Sequence, residues 1–409
     1  MNIWTDCEKK PLTECLKYIV DNRGKTVPTS ETGIILIATN CISNDSLYPR
    51  YEKIRYLSKE TYDSFFRAHP IAGDIIFVNK GTPGRVCMVP NVVDFCIAQD
   101  MIALRVNEKI IDNYYLLSIL RSREIQSLIA NTNVGDVIPH FKKQFLNRLL
   151  IPIPELSIQK KIGYTYRLLS IKIETNNKLN EKLEEMAQAI FKSWFVDFEP
   201  FKNQPFHKTE LGMIPKGWEV GIFEDIANIV GGGTPSKQKQ EYYTEDGIAW
   251  LTPKDLSLVN KKFTSKGAID ITKLGYEKSS AKLMPKGSVL FSSRAPIGYI
   301  TIAKNEICTN QGFKSAVPQK AGTAFIYYLL KNKTPEIENM ATGSTFKEAS
   351  GTLMKTLRII IPIKEVLDNF EKIMEPIFNM QLSVEEENDR LASLRDTLLP
   401  RLMSGEIKI

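Results

Sequence analysis

The chain has 409 residues, a formal net charge of +7, 43% hydrophobic residues and 25% charged residues. That length exceeds one ordinary domain of ~100–200 residues, the composition is that of a globular protein, and no apolar run approaches the ~18 residues of a membrane span. The first residues, Met1-Asn2-Ile3-Trp4-Thr5-Asp6, carry no basic and apolar leader, and six scattered cysteines form no C-x-x-C pair, which argues against a disulfide framework or a zinc site and for a reducing cytoplasm.

Residues 1–155 read as a first head of short strands broken by turn residues. Gly33-Ile34-Ile35-Leu36-Ile37 and Asp74-Ile75-Ile76-Phe77-Val78 are β-rich runs bounded by Gly, Pro and Asn. Tyr114 to Ile129 reads as helix, so the head is mixed α/β. Gly24-Lys25-Thr26 has the tail of a phosphate loop, but the first glycine of G-x-x-x-x-G-K-[ST] would fall on Ile19, so nucleotide binding there is rejected. Asn79-Lys80-Gly81-Thr82-Pro83-Gly84-Arg85 is a strand end, a basic residue and a Gly/Pro turn, suited either to reaching a DNA groove or to closing an ordinary hairpin. Asn131 to Asp136 is a polar loop before the closing tract Ile151-Pro152-Ile153-Pro154.

Residues 156–198 read as one long helix. Ile162, Tyr166, Leu169, Ile173, Leu179, Leu183, Met186 and Ile190 form the seam of a helix packed on a partner, interrupted by Asn176. Residues 199–363 make a second mixed head, with a glycine turn at Gly231-Gly232-Gly233-Thr234-Pro235 expected to be flexible, a strand at Val289-Leu290-Phe291, a turn at Ser293-Arg294-Ala295-Pro296-Ile297-Gly298-Tyr299, and a helix over Thr323 to Leu330. A polar loop, Thr342 to Lys347, precedes Ile361-Pro362-Ile363. Residues 364–409 read as a second long helix with Phe370, Met374, Ile377, Val384, Leu391, Leu394, Leu398 and Leu402 on its seam and Asn388 interrupting it; Pro376 predicts a kink or a restart.

The two halves repeat. A shift of 214 lays Gly73-Asp74-Ile75-Ile76-Phe77 on Gly287-Ser288-Val289-Leu290-Phe291, Lys80 on Arg294, Gly84 on Gly298 and Trp4 on Trp218. A shift of 212 lays Cys96 and Gln99 on Cys308 and Gln311, and a shift of 210 lays Ile151-Pro152-Ile153 on Ile361-Pro362-Ile363. Drift of a few residues over that span means loop-length changes within one shared fold. The expected architecture is therefore two similar α/β (α+β) heads separated by two long antiparallel helices in a coiled coil, a pseudo-dimer with an approximate two-fold axis. The seam is expected to pair Leu169, Asn176, Leu183 and Ile190 with Val384, Asn388, Leu391 and Leu398, the asparagines fixing register or standing solvated. A helix of forty residues is roughly 60 Å long, enough to set two heads over separate major-groove faces ~34–36 Å apart.

Charge and chemistry point to binding rather than reaction. Residues 199–363 hold 22 basic and 15 acidic side chains, whereas residues 364–409 hold 6 and 10; a basic head on an acidic stalk suits a polyanion-binding head and a protein-binding stalk. The DNA-contact candidates are Lys25, Thr26, Asn40, Lys80 and Arg85 in the first head, and Thr234, Lys254, Arg294, Tyr299, Gln311, Ser344 and Lys347 in the second. Gln99 and Gln311 either read an adenine edge or make a structural hydrogen bond. None of the three histidines has metal-ligand spacing, and no nucleophile elbow or cofactor loop is present. A non-catalytic protein adaptor and a self-contained nuclease are the competing readings.

Two heads, each closed by an Ile-Pro tract and a long helix, together with Ile214-Pro215-Lys216-Gly217-Trp218, Gly232-Gly233-Thr234-Pro235, the stretch Ile151 to Phe195 and the stretch Leu394 to Gly405, resemble the specificity subunit of type I restriction-modification systems over essentially the whole chain. The sequence departs from the pattern where Ser157-Ile158-Gln159 keeps only the Gln of the usual Glu-Gln, Asp368-Asn369 keeps neither, and the first head retains only Trp4 of the usual lead-in. The resemblance implies a chain without catalysis or bound cofactor that reads a bipartite double-stranded DNA target. It also implies two modification subunits using S-adenosylmethionine to methylate adenine, two restriction subunits using ATP and Mg, and no membrane.

Overall fold

The computed structural model describes residues 2–407 apart from Arg23, Lys25, Ala98, residues 133–138, Val259, Asn260 and residues 344–346. The chain forms two compact units, Met1–Asn177 with Asn388–Ile409, and Lys178–Glu387. Division by packing thus falls inside the two long helices, whereas chain order divides at 155/156 and 363/364.

In the first unit an antiparallel sheet runs in the order Leu16–Val20, Met101–Val106, Ile75–Val78, Val86–Met88. Successive strand residues point to opposite faces, and here both faces are covered. Ile75, Phe77, Ile102 and Leu104 enter one core, while Ile76, Val78, Met101 and Ala103 enter another. That double burial is why residues 75–78 are uninterruptedly apolar rather than alternating. The second core is closed by Ile34–Ile37 lying parallel to Phe95–Ile97. Lys9–Pro11 pairs antiparallel with Leu150–Pro152, the strand that feeds the long helix.

The second unit repeats the core of this plan. Its sheet runs Ala227–Gly231, Lys314–Pro318, Val289–Ser293, Ile297–Ala303, with Phe263–Thr264 added parallel at the edge. Val289 and Phe291 face one core and Leu290 the other. Trp250–Leu251 lies parallel to Cys308–Thr309, and Glu219–Ile222 pairs with Arg358–Ile361. The repeat legible in sequence is therefore a repeat of topology.

Helix limits differ from the sequence reading. The expected helix Tyr114 to Ile129 is two, Asn113–Leu120 and Arg123–Asn131, because Ser122 N-caps the second by accepting from the Ile125 amide at 3.3 Å. The expected helix Thr323 to Leu330 runs on to Met340 through a polar stretch containing Pro335, with Ile337 buried near its end.

The long helices are Leu156–Phe195 and Lys364–Met403. Within each unit their segments run antiparallel. In the first, Asn176 donates to Asn388 at 2.9 Å and Asn388 to Asn177 at 2.8 Å, while Ile162 and Tyr166 share a core with Leu399 and Met403. In the second, Asn180 lies 3.4 Å from Glu385, Gln381 donates to Glu184 at 3.3 Å, and Phe191 and Trp194 meet Phe370. These asparagine hydrogen bonds join the two helices, a register device. The expected seam needs a correction. Val384 is buried and Leu183 and Ile190 pack on the core, but Leu169, Leu391 and Leu398 are only half-buried, and Leu179, Met186 and Leu394 are 42%, 48% and 50% exposed. Ile162, Tyr166, Ile173, Asn176, Phe370, Met374, Ile377 and Leu402 of the expected seam are buried; where it fails, the buried positions are Ala187, Phe191, Arg395 and Leu399, one residue and so about 100° around the helix. Pro376 does not restart the helix, which runs unbroken from Lys364 to Met403: it sits on the exposed face, where a carbonyl one turn back can turn to water.

Each head is fastened to its helix by a carboxylate at a helix N-terminus, supplied from opposite sides in the two units. Asp112 caps Asn113–Leu120, accepting from the Tyr115 amide at 2.9 Å, and Gly163 of the long helix lies against it: a Cβ there would stand 2.2 Å from Asp112 Oδ1. In the second unit the N-cap is Gly322, and Glu371 reaches across from the long helix to accept from the Phe325 and Ala324 amides at 2.9 and 3.3 Å. A Cβ on Gly322 would stand 2.1 Å from Glu371 Cδ. Buried Gln159 adds to the first junction, accepting from the Asp112 amide at 3.0 Å and donating to Pro154 and Ile110 carbonyls.

The second unit has a further clamp. Lys262, 7% exposed, directs its ammonium to Glu184 at 2.9 Å, Gln381 at 2.8 Å and the Tyr328 hydroxyl at 2.6 Å, above the Phe378 ring. The main-chain amides of Lys262 and Phe263 donate to Glu385 at 2.9 and 3.2 Å. Burial alone would raise the Glu184 carboxyl, but Lys262 and Lys331 pull it down to about 2. Burial pushes Lys262 down to about 8 against the pull of Glu184.

Removing Lys262 leaves buried acceptors without a donor, so Lys262→Ala should cost about 3 kcal/mol in urea unfolding. The Glu184 carboxyl lies below its ordinary 4.5, so its contribution is complete above pH 4.5 and fades as pH falls toward about 2; Glu184→Gln should flatten the acid side of the stability profile. Gly163→Glu alone should destabilise by about 2 kcal/mol through overpacking, and adding Asp112→Gly should restore most of the loss by recreating the arrangement of the second unit.

Candidate functional site

The tip of the same hairpin gathers polar side chains in both heads. In the first, the chain leaves Ile75–Val78 through Asn79 and Lys80, whose amides donate to the Asp100 carbonyl at 2.9 and 3.3 Å. Asn79 accepts from the Phe141 amide at 2.7 Å, and Lys80 forms a bridge with His140. Three segments distant in sequence thereby meet around a surface cleft of about 470 Å³ lined by Arg67, Asn79, Lys80, Gln99, Asp100 and His140, with Gly24 at its wall. Asn79 is fully buried and donates to the Phe141 carbonyl at 3.1 Å, so it holds the tip rather than offering itself to a ligand.

The second head builds the same junction from different residues. Ser293 donates its amide to the Gly312 carbonyl at 2.8 Å and accepts from the Ala349 amide at 2.9 Å, while Arg294 bridges to Glu348. Ser293, Gly312, Ala349 and Glu348 thus take the places of Asn79, Asp100, Phe141 and His140. Arg294 Nη1 lies 3.4 Å and Lys314 Nζ 3.3 Å from the two Glu348 oxygens. Thr234 donates its hydroxyl to Gln311, next to this junction in the chain.

The glycine tract leading into the second site is not the flexible turn expected from sequence. Gly233 donates to the Thr309 carbonyl at 2.9 Å and accepts from the Trp250 indole at 3.0 Å. A Cβ on Gly232 would stand 2.0 Å from the Asn310 carbonyl oxygen, and one on Gly233 would stand 2.3 Å from the Ala281 amide nitrogen. These are close-approach glycines, and they bring Thr234 against Gln311.

Of the sequence candidates, the fold brings Lys80 together with Gln99 in one cleft and Thr234 together with Gln311, while Arg294 follows Ser293, whose amide donates to Gly312 beside Gln311. Thr26 is exposed, two residues past the cleft's Gly24. Asn40 is engaged by the Glu52 carbonyl, and Arg85 is exposed with Nη1 3.5 Å from the Ile42 carbonyl. Lys254 lies exposed on a separate short helix, Pro253–Leu258. Tyr299 is half-buried, its amide donating to Ser292 at 2.8 Å, and Lys347 donates to the Glu338 carbonyl at 3.3 Å. Lys25, Ser344 and the loop 133–136 lie outside the described residues. Sequence reading missed His140, Glu348, Lys314 and Arg67. The signal for the first two was a constant shift of 208, shared by Thr26/Thr234, His140/Glu348 and the helix starts Leu156/Lys364, which residue identity does not reveal.

The thiols are not poised as nucleophiles. All six cysteines are free thiols, and burial raises Cys15 to about 11 and Cys87, Cys96 and Cys308 to about 12, far from a nucleophilic thiolate. Among the described residues no group of three or more His, Cys, Asp or Glu is placed to hold a metal ion. Nor is any described helix long and apolar enough to cross a membrane.

A duplicated head with a cation and a carboxamide at each hairpin tip defines a protein with two related binding heads. Residues 6–185 and 215–391 match the family described as type I restriction modification DNA specificity domain, and the chain belongs to that family. It is 28% identical over 402 aligned residues to the type I restriction enzyme HindI specificity subunit of Haemophilus influenzae, covering 82% of this chain and 86% of that one. It is 24% identical to the putative type I restriction enzyme MjaX specificity subunit of Methanocaldococcus jannaschii, covering 99% and 94%. In fold it is similar to the crystal structure of the S subunit of a type I restriction-modification system from M. genitalium, with a TM-score of 0.57 at 15% identity over 97% and 96% of the two chains.

The tight glycines give a local prediction. Gly233→Ala should destabilise the second unit by about 2 kcal/mol and displace Thr234 from Gln311, readable as a lowered thermal midpoint and a changed Trp250 fluorescence.

Proposed function

We propose that this chain is the DNA-reading subunit of a type I restriction-modification system, each head recognising one half of a bipartite duplex target. The observation that carries this reading is the duplicated tip: Lys80 with Gln99 in one head, Arg294 with Gln311 in the other. Cations attract the phosphate backbone regardless of sequence, whereas carboxamides match the donor–acceptor pair on an adenine edge. Two such tips of different composition would read two different half-sites.

The chain itself is non-catalytic and binds no cofactor. It assembles in the cytoplasm with two modification subunits, which use S-adenosylmethionine to methylate adenine, and two restriction subunits, which use ATP and Mg. The acidic C-terminal helix favours a protein-binding role for the helical part, away from the polyanion.

Sequencing the methylated bases in cells that express the chain with its modification subunits tests the proposal. Modified adenines should fall in a two-part motif with a fixed gap; a single contiguous motif would count against two reading heads. Lys80→Ala should weaken binding about equally on target and non-target duplexes and reduce the slope of log affinity against log salt by about 1, while Gln99→Ala should relax one half-site only.

A further inference from the structure

The two tips differ in a way that net charge conceals. The second head is the more basic by count, yet its tip cation is already ion-paired: Glu348 stands between Arg294 at 3.4 Å and Lys314 at 3.3 Å, with the Arg294 and Glu348 side chains 36% and 38% exposed. At the same place in the first head stands His140, beside Lys80, which makes no ion pair among the described residues. Main-chain bridging fixes both pairs, Lys80 to His140 and Arg294 to Glu348, so the residue opposite the tip cation is set by the fold rather than by side-chain choice.

We propose that Glu348 is a specificity-determining residue of the second head, resting on the DNA-reading function above. A phosphate approaching Arg294 must first displace Glu348 and then lie beside its carboxylate, a like-charge arrangement that opposes sequence-independent binding. A base edge meets no such repulsion. An exocyclic amino group, as on cytosine or adenine, can donate to Glu348, while a neighbouring ring nitrogen or keto oxygen accepts from Arg294. The carboxylate therefore weakens backbone binding at this tip and favours a base pair whose amino group falls opposite it. In the first head Asp21 and Asp100 line the same cleft, but among the described residues neither is ion-paired with Lys80, which serves as a phosphate anchor.

The test uses the full chain in complex with its modification subunits. Binding is measured to the duplex carrying the wild-type motif and to a duplex of equal length with both half-sites scrambled, and methylation is mapped in parallel. Glu348→Gln keeps the shape and removes the charge. It should bind the scrambled duplex about fivefold tighter with a steeper salt dependence, and lose about tenfold discrimination at a position in one half-site only. His140→Glu, the converse change, should weaken scrambled-duplex binding and alter the other half-site. If the wild-type complex yields a two-part motif but Glu348→Gln leaves both halves unchanged, relaxes both equally, or weakens scrambled-duplex binding, the inference is overturned. If Glu348→Gln fails to fold, His140→Glu decides alone: an unchanged motif with undiminished scrambled-duplex binding overturns it. A wild-type complex with no two-part motif sinks the DNA-reading function, and this inference with it.

Discussion

Neither head closes its own core. In the first unit the sheet's lower face, with Phe77, Leu104 and Tyr115, is completed by Ile162, Tyr166, Leu399 and Met403 from the two long helices. In the second, Phe291 and Phe325 are completed by Ala187, Phe191, Phe370 and Met374. Apolar burial is the largest favourable contribution to folding, so a head without its helix segments would expose a sheet face. The helices in turn would expose their stripe. This mutual dependence is why packing divides the chain inside the helices, and why the junctions carry so many specific devices.

Those devices show how a duplicated fold diverges while keeping its physics. A helix N-terminus pressed against another helix needs a negative or accepting group for its free amides. The first unit meets that need with Asp112 against Gly163, the second with Glu371 against Gly322. Each solution requires a glycine on the opposite surface, so neither residue of a pair can change alone. The Lys262 clamp adds a head-to-helix tie whose polar atoms are nearly all internally paired, which is the condition for a buried charge to persist.

At the tips the logic reverses: the main chain is constant and the side chains are free to differ. Backbone hydrogen bonds from Asn79 and Ser293 hold three distant segments together in each head, so residues at 80/294, 99/311 and 140/348 can vary without loss of the scaffold. A reader of two unlike half-sites needs that separation between a rigid frame and replaceable contacts.

Much of the plan was legible in the chain. The β-rich run at 74–78, its copy at 287–291, the Ile-Pro tracts and the two long helical stretches all announce themselves through local pattern, because strand and helix periodicity are properties of contiguous residues. Lys80, Arg294 and Gln311 stood out for the same reason. The rest depended on the third dimension. Part of the seam was off by one residue because the large apolar Leu179 and Met186 outweigh in pattern the smaller Ala187 and the polar Glu184 that the head requires there. Gly232 and Gly233 looked like a flexible turn because sequence records a glycine but not the carbonyl pressed against it. Glu348 and His140 escaped notice because their equivalence lies in backbone pairing across a tip, not in their chemistry. Local pattern determined which elements exist and that they occur twice; only tertiary packing decided which helix face is buried and which charges meet, because those outcomes rest on contacts between residues far apart in the chain.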